Sequence, residues 1–341
     1  MLTFYNEHHA QHRPRAVASS FEKSGQVELV LHELQRRGLG EIVTPHRAPL
    51  VSLERIHSPR YLHFLRSAWS EWSADPQHGG RDAVAANWPI RGMRSDVEPD
   101  SFSGRLGLYA MDATPITAGT WNACKTGADC AINAAHALRL GQRGSFALTR
   151  PAGHHAGADH FGGGCFLNNA ALAAQHLLDD GVKRVAILDI DYHHGSGTQK
   201  IFYARSDVLT VSIHADPRSD FPYYLGHADE TGSGEGTGYN MNLSLARGAN
   251  AAHWLAALET ACIKLGMFAP EALVVALGVG AQGSDTDAGF ALQGSDYLRI
   301  GERIAWLGLP TAFVFEGGRE QADIGIHTVN VLEGFETAAH T

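Results

Sequence analysis

The sequence predicts an α/β fold with a central, mostly parallel sheet that carries helices on both faces. Strand-like and helix-like segments alternate over the last two thirds of the chain, which is the pattern of parallel strands joined by helical crossovers. The strand-like segments are also continuous apolar runs, as in Val185–Leu188 and Ala272–Val279, and strands buried on both faces have this composition. The 341 residues show no internal repeat and no convincing boundary, so one domain spanning 1–341 is expected.

The elements can be justified in chain order. The segment from Gln26 to Arg37 has apolar residues at helical spacing and is followed by Gly38, a suitable end for a helix. Ser58-Pro59 has the form of an N-cap followed by proline in the first turn, and the helix that it opens carries an aromatic stripe. The other helices are predicted at Trp121–Leu140, Asn168–Asp180, His253–Leu265, Asp296–Leu307 and Ile324–Phe335. The other strands are predicted at Leu2–Tyr5, Ser145–Thr149, Val208–His214 and Pro310–Phe315.

One stretch differs from the rest of the chain. From about 75 to 120, glycine, proline, arginine and aspartate are frequent and no periodicity is visible, so an irregular insert is expected. Long loops in compact domains are usually functional or contact a partner. Its apolar residues favour a subunit interface, with a loop packed on its own subunit as the alternative; they are Trp88, Pro89, Ile90 and Leu106.

Composition excludes several classes of function. Hydrophobic residues make up 44% of the chain, charged residues 18%, and the formal net charge is −9 without a basic run. Binding to nucleic acid through phosphate contacts is therefore not expected. The first residues are too polar for a signal peptide and no apolar run could span a bilayer, so the sequence predicts a cytoplasmic protein without a membrane segment. The four scattered cysteines are expected to be reduced.

Polar side chains cluster after two of the predicted strands. The strand Val185–Leu188 is followed within a few residues by Asp189, Asp191 and His193. Two further histidines, His154 and His155, follow Ser145–Thr149 after a proline and a glycine. Ligands of open parallel sheets bind at the carboxyl ends of the strands. Since Asp191 and His193 alternate in an extended chain, they point the same way and form half of a zinc site.

Several motifs resemble the histone deacetylase superfamily. They are RPAGHHA, FGGGCFLNNAALAA, ILDIDYHHGSGTQKIF, VSIHAD and FEGG, in this order along the chain. The segments PITAGTW and FPYYLG, with the chain length, resemble its bacterial acetylpolyamine amidohydrolase branch. The resemblance implies an arginase-like fold, zinc-dependent hydrolysis of an acetyl-amine bond, a small acylated amine as substrate and a homodimer.

The resemblance also assigns roles to individual residues. It implies that Asp191 and His193 are zinc ligands, that His154 and His155 are general base and general acid or electrostatic stabiliser, and that Asp189 orients His154. Ser196 stands where the partner of His155 is usually Asp or Asn. The residues implied in a potassium site are Asp189, Ser212 and Ile213, with the backbone of Asp191 and His193. The residues implied along the substrate channel are Phe166, Phe221, Gly164 and Gly318.

Two positions depart from the family pattern. Gly280 stands where the family has the third zinc ligand, an Asp, and Arg319 stands where it has a catalytic Tyr. Acidic or aromatic residues of some members are also replaced, by Ser103, Thr114 and Gly164. Losing a ligand weakens zinc, and losing an oxyanion donor costs roughly 10²–10³ in rate. Zinc binding is therefore expected to be weakened or absent, whereas bound potassium is expected.

Two interpretations follow from these departures. In the first, the protein is an enzyme with a modified metal and His-His site, in which a loop carboxylate such as Asp285 or Asp287 helps to hold the metal and Arg319 donates to the oxyanion. In the second, it is a non-catalytic binding or assembly protein, in which Arg319 takes the metal position and pairs with Asp191. The motifs alone favour neither.

Overall fold

The computed structural model describes residues 1–15, 25–90, 92, 94–279, 289–318 and 323–339. Eight strands lie within these ranges: β1 (Leu2–Phe4), β2 (Glu41–Val43), β3 (Gly144–Ala147), β4 (Val185–Asp189), β5 (Val208–Ala215), β6 (Asn240–Leu245), β7 (Ala272–Gly278) and β8 (Thr311–Gly317). They form a single sheet in the order β2-β1-β3-β8-β7-β4-β5-β6. Every pairing between neighbours is parallel. The predicted fold class is confirmed, and the sheet is more regular than expected.

Helices connect the strands. Within the described ranges they are α1 (Gly25–Arg37), α2 (Leu50–Leu53), α3 (Pro59–Ala74), α4 (Phe102–Tyr109), α5 (Thr120–Arg139), α6 (Asn169–Asp179), α7 (Ser196–Phe202), α8 (Ala251–Phe268), α9 (Gly294–Ala305) and α10 (Ile324–Ala339). The predicted N-cap is present, because Ser58 Oγ accepts a hydrogen bond from the Tyr61 backbone at 3.4 Å. Gly38 follows α1 with φ of 64°. None of the helices in the described ranges has the length and apolar character needed to cross a bilayer.

The core has two halves, one on each face of the sheet. Along β4, Val185 and Ile187 join the half that contains residues of α3, α5 and α6. Ala186 and Leu188 point to the other face and join residues of α1, α8, α9 and α10. This alternation follows from the two-residue repeat of a strand. Because both faces are covered, the polar ends of the strands are the part of the sheet that can face a ligand.

The sequence did not predict five of these elements: β2, β6, α2, α4 and α7. Both missed strands, β2 and β6, are at the edges of the sheet. In β6 asparagines alternate with apolar residues, and it is Asn240 and Asn242 that are buried, so the strand lacks the usual apolar signal. The short helix α7 begins at the serine of a Gly-Ser-Gly sequence, which predicts a turn.

The insert is less irregular than expected. It contains α4, whose N-cap Ser101 accepts a hydrogen bond from the Gly104 backbone at 3.2 Å. Leu106 is not part of an exposed interface as expected, because it is 2% exposed and packs in the core of its own subunit. Trp88 and Ile90 are exposed, at 44% and 75%. A homodimer through the insert therefore stays a prediction that now depends on these two residues and Pro89.

Candidate active site

The carboxyl ends of five neighbouring strands meet at one edge of the sheet. The order β3-β8-β7-β4-β5 places the segment after β3, which carries His154 and His155, close to the Asp189 end of β4. Glu316 lies at the end of β8, between them. The topology therefore brings together side chains that are far apart in the sequence.

His154 and Asp189 form a buried pair. The Nδ1 atom of His154 lies 2.9 Å from Oδ2 of Asp189, and the two side chains are 3% and 4% exposed. The other oxygen of Asp189 accepts a hydrogen bond from the Asp191 backbone at 3.0 Å. Both oxygens thus accept, so Nδ1 of His154 is the donor. This contact fixes the ring and directs Nε2 to the side of Asp191, whose Oδ1 is 3.9 Å away.

His155 lies beside His154, with ring centroids 4.0 Å apart. Its Nδ1 atom is 3.3 Å from Ser196 Oγ, and the edge of Phe221 packs on its ring at 4.9 Å between centroids. Burial, with the positive potential of His154 and His193, holds the pKa of His155 well below its ordinary value. His155 is therefore neutral at physiological pH and can donate a hydrogen bond from one ring nitrogen only.

Asp191 and His193 lie beside the two adjacent histidines, with the Asp191 side chain buried and the His193 side chain 19% exposed. Oδ1 of Asp191 accepts a hydrogen bond from the His193 backbone at 2.8 Å and lies 3.5 Å from Nδ1 of its ring. Gly278 packs directly against this carboxylate, since a Cβ at that position would be 1.8 Å from Asp191 Oδ2. The close approach requires glycine, and it holds the Asp191 side chain against the end of β7.

The site offers two of the ligands that a zinc ion needs. A carboxylate oxygen and an imidazole nitrogen are both ordinary zinc ligands, and Asp191 and His193 present them side by side. In the parts of the chain that the structure describes, no third His, Cys, Asp or Glu atom completes a group with these two. The four residues on which the third ligand or its replacement would depend lie outside the described residues: Gly280, Asp285, Asp287 and Arg319.

The charges around His154 are mostly negative. Burial alone would lower the pKa of His154, but Asp189, helped by Asp191 and Glu316, raises the pKa to about 10. The pKa of Asp191 is lowered because His154 and His193 outweigh the cost of its burial. The site therefore stabilises positive charge, either as a proton on His154 or as a cation.

Glu316 is a site residue that motif reasoning left without a role. One of its oxygens, Oε2, accepts hydrogen bonds from the backbones of Gly153 and His154, at 2.6 and 3.0 Å. The other, Oε1, is buried and has no hydrogen-bond partner within the described ranges of the chain. Burial raises the pKa of Glu316 to about 7, although His154 and the Gly153 backbone oppose the shift. Its position in the FEGG motif, at the end of a buried strand, is the signal that could have identified it.

The predicted potassium site lies next to this cluster. Asp189 and Ser212 are direct neighbours in the pairing of β4 with β5 and line the same small cavity. Ser212 Oγ is 2.8 Å from Nδ1 of His214. Ile213 is fully buried in the next position of β5. The arrangement is compatible with a cation held by oxygen atoms, and potassium stays a prediction.

The cleft has aromatic and glycine walls. Phe221 packs near both His155 and His193, with centroids 4.9 and 6.0 Å apart, as expected for a channel wall. Tyr223 continues this wall at 6.2 Å from Phe221 and is 52% exposed. Gly163 also lies here, and it approaches His155 so closely that a Cβ would lie 2.4 Å from the His155 ring and 3.1 Å from the Phe221 ring.

One of the predicted substrate residues lies in the core, and the predicted roles of Gly318 and Gly164 stay predictions. Phe166 is a correction: it is fully buried and packs on Phe161 at 5.4 Å between centroids, so it belongs to the core rather than to the channel wall. The Gly318 carbonyl accepts a hydrogen bond from Gln26 at 2.5 Å, which attaches the end of β8 to α1. The Gly164 backbone donates to Thr114 Oγ1 at 3.0 Å, and a place for Gly164 along the substrate channel stays a prediction.

Comparisons with known proteins identify the family of this chain. The sequence model of the protein family described as the histone deacetylase domain matches residues 20–334. The chain belongs to the histone deacetylase domain family. Acetylpolyamine amidohydrolase 1 of Pseudomonas aeruginosa is 48% identical, over 99% of this chain and 100% of that protein. Acetylpolyamine amidohydrolase of Mycoplana ramosa is 42% identical, over 92% of each chain.

A solved structure gives the same result for the fold. The crystal structure of acetylpolyamine aminohydrolase from Burkholderia pseudomallei matches with a TM-score of 0.93 and 35% identity, over 99% of each chain. The predicted resemblance to the histone deacetylase superfamily, and to its acetylpolyamine amidohydrolase branch, is therefore confirmed. Members of this family are generally zinc-dependent, and Asp191 and His193 offer two of the ligands that such an ion needs.

Proposed function

We propose that this chain hydrolyses the amide bond of a small acylated amine, with His154 and His155 as its proton-transfer groups. The observation that carries the proposal is the buried hydrogen bond of 2.9 Å between His154 and Asp189, beside a second, neutral histidine. A lone buried histidine could be structural, but a carboxylate-oriented imidazole that faces a cleft is the arrangement of a general base. The names of the relatives, acetylpolyamine amidohydrolases, suggest the substrate class.

The residues divide the reaction between them. Asp189 holds Nδ1 of His154, which leaves Nε2 facing the space beside Asp191 to take a proton from the attacking water. The water oxygen bonds to the acyl carbon, the C–N bond breaks, and the proton passes to the amine nitrogen. His155 lies where it can donate to the reacting oxygen or to the departing amine. Phe221 and Tyr223 would bind the alkyl chain of the amine.

A cation would be held by Asp191, His193 and water molecules. Bound there, it would polarise the acyl oxygen and lower the pKa of a bound water. It would also neutralise part of the negative charge around His154, whose pKa of about 10 would otherwise keep the ring protonated. The base function of His154 therefore depends on positive charge at Asp191.

A second candidate is a non-catalytic binding protein. The observation that favours it is the sequence itself, in which Gly280 and Arg319 stand where the family resemblance implies a zinc-ligand Asp and a catalytic Tyr. A guanidinium could supply the positive charge that Asp191 requires without a metal. In that case His154 would remain protonated, and the cleft would bind an amine or acyl group without turnover.

One experiment separates the two candidates. Protein purified without chelator is analysed for zinc and incubated with an acetylated polyamine, with Asp191→Asn as the control variant. Stoichiometric zinc that Asp191→Asn loses, together with acetate release, supports the enzyme. Binding of the acetylated polyamine without acetate release, and without any zinc that Asp191→Asn loses, supports the second candidate. The double variant Gly280→Asp/Arg319→Tyr then tests whether the remaining site is competent.

A further inference from the structure

A group of metal-binding side chains lies far from the cleft, where α5 and α6 end. His136 is in the last turn of α5. His176 is in the last turn of α6, and Asp180 is the residue that caps this helix. One ligand atom from each of these residues lies within 4.8 Å of the other two. The three residues are here called the α5–α6 cluster.

The distances within the cluster match a coordination shell. Oδ2 of Asp180 lies 3.5 Å from Nδ1 of His136 and 3.5 Å from Nε2 of His176. Zinc bonds of about 2.0–2.1 Å in a tetrahedron place neighbouring ligand atoms roughly 3.3–3.4 Å apart. The rings are 5.6 Å apart between centroids and are inclined by 60°. They are therefore not stacked on each other.

Hydrogen bonding does not explain the cluster. Nε2 of His176 is buried and has no hydrogen-bond partner among the residues that the structure describes. A buried polar atom without a partner costs free energy, yet this one faces a carboxylate oxygen at a distance too long for a good bond. A cation between the two atoms would satisfy both. Burial also lowers the pKa of His176, which favours the neutral ring that binds metals.

One helix carries two of the three ligands, and the neighbouring charged groups have other partners. His176 and Asp180 are four residues apart, so α6 places both on one face. Arg139 donates to the Asp180 backbone carbonyl at 3.2 Å and leaves the carboxylate free to bind. The neighbouring Asp179 is paired with Arg55 at 2.8 Å. The carboxylate of Asp180 is thus the negative charge available to a cation here.

We propose that His136, His176 and Asp180 bind a divalent transition-metal ion of the zinc class and bridge the ends of α5 and α6. The fourth position, open to solvent, would hold water. His136 and Asp180 are both more than one third exposed as residues, so the ion can enter directly from solution. This site is independent of the proposed hydrolysis, because none of its residues lies in the cleft.

The test uses zinc itself as the probe, in a parent protein whose metal site in the cleft is removed by Asp191→Asn. Zinc binding is measured by equilibrium dialysis for Asp191→Asn and for the same protein with His136→Asn/His176→Asn added. We expect the second protein to bind one zinc fewer per chain. A matched control adds His32→Asn, an exposed histidine on α1, and should change nothing. Equal zinc binding with and without the cluster would overturn the proposal.

Thermal unfolding gives a second, independent measurement. Without zinc, the cluster variant and its parent should unfold at the same temperature, which shows that the substitutions are tolerated. With zinc, only the parent should gain stability, because a ligand that binds the folded state alone stabilises it. A zinc-dependent rise of equal size in both proteins would contradict binding at this cluster.

Discussion

The substitution Asp189→Asn tests the role of the buried pair in the cleft. Asp189 accepts two hydrogen bonds, at Oδ1 from the Asp191 backbone and at Oδ2 from His154. Asn has one oxygen and one NH₂ group, and the backbone N–H of Asp191 can only donate. The oxygen must therefore face Asp191, and the NH₂ group must face Nδ1 of His154. The imidazole is then forced to carry its proton on Nε2, where a base needs a lone pair.

The size of the effect follows from this change of tautomer. A general base contributes about 10²–10⁴-fold to a rate, so acetate release by an active enzyme should fall by that amount. Removing the charge from one partner of a buried pair costs about 3–5 kcal/mol of stability, and the retained hydrogen bond places Asp189→Asn near the lower value. Both losses should occur although the substitution leaves the side-chain volume unchanged.

Nitrogen NMR of His154 and thermal unfolding together check the prediction. The spectrum should show His154 neutral and protonated on Nε2 in the variant, whether or not the protein is an enzyme. The matched control is Asp96→Asn, which breaks an exposed pair with Arg94 at 2.9 Å and should change stability by less than about 0.5 kcal/mol. Unchanged protonation of His154 in Asp189→Asn would refute the reasoning.

Three further predictions use the same site and fold. Glu316→Gln should be more stable than the parent above pH 7. The reason is that raising the pKa of this fully buried group from 4.5 to about 7 corresponds to a cost of about 3 kcal/mol for its charged form. In urea titrations the difference in stability should grow between pH 4.5 and 7 and should vanish below pH 4.5. Gly278→Ala should lose about 1–3 kcal/mol because its Cβ meets the Asp191 carboxylate, whereas Gly266→Ala in α8 has free space and should gain up to about 1 kcal/mol. Ser58→Ala should lose about 1 kcal/mol through its N-cap, measured by thermal unfolding.

Much of the fold could be predicted because its central strands are uniformly apolar. Runs such as Val185–Leu188 can only be buried, and the polar residues that follow them must then lie at the edge of the sheet. That rule placed Asp189, Asp191 and His193 at one end of β4, where they are found. The edge strands escaped prediction because their partners, rather than their composition, define them.

Contacts between distant segments could not be predicted in the same way. Glu316 interacts with His154 because β8 lies beside β3, an order that the chain itself does not reveal. The α5–α6 cluster depends in the same way on the packing of two helices. Phe166 is an error of the opposite kind. The family resemblance placed it along the substrate channel, but its side chain is buried in the core. The spacing of residues along the sequence can identify ligands that lie on one helix or strand. Ligands that come from different elements can be identified only once the fold shows which elements are neighbours.

The charges around His154 allow one further prediction about the cleft. Three carboxylates, Asp189, Asp191 and Glu316, act on this imidazole, and their combined potential keeps it protonated up to a pKa of about 10. A divalent cation at Asp191 and the proton on His154 are therefore alternatives that compete for the same negative charge. Because metal binding then releases a proton, zinc affinity should rise with pH, by up to about tenfold per pH unit below that pKa.

Equilibrium dialysis at pH 6.5 and 8.5 measures this dependence in the cleft alone when the α5–α6 cluster is removed by His136→Asn/His176→Asn. His154→Gln provides the control, because a side chain without a titrating proton should abolish the part of the pH dependence that comes from this ring. Steep dependence in the parent and weak dependence in the control would show that proton and metal share the site. An affinity that stays independent of pH in both proteins would mean that the charge at Asp191 is already satisfied, as the pairing with Arg319 in the non-catalytic interpretation requires.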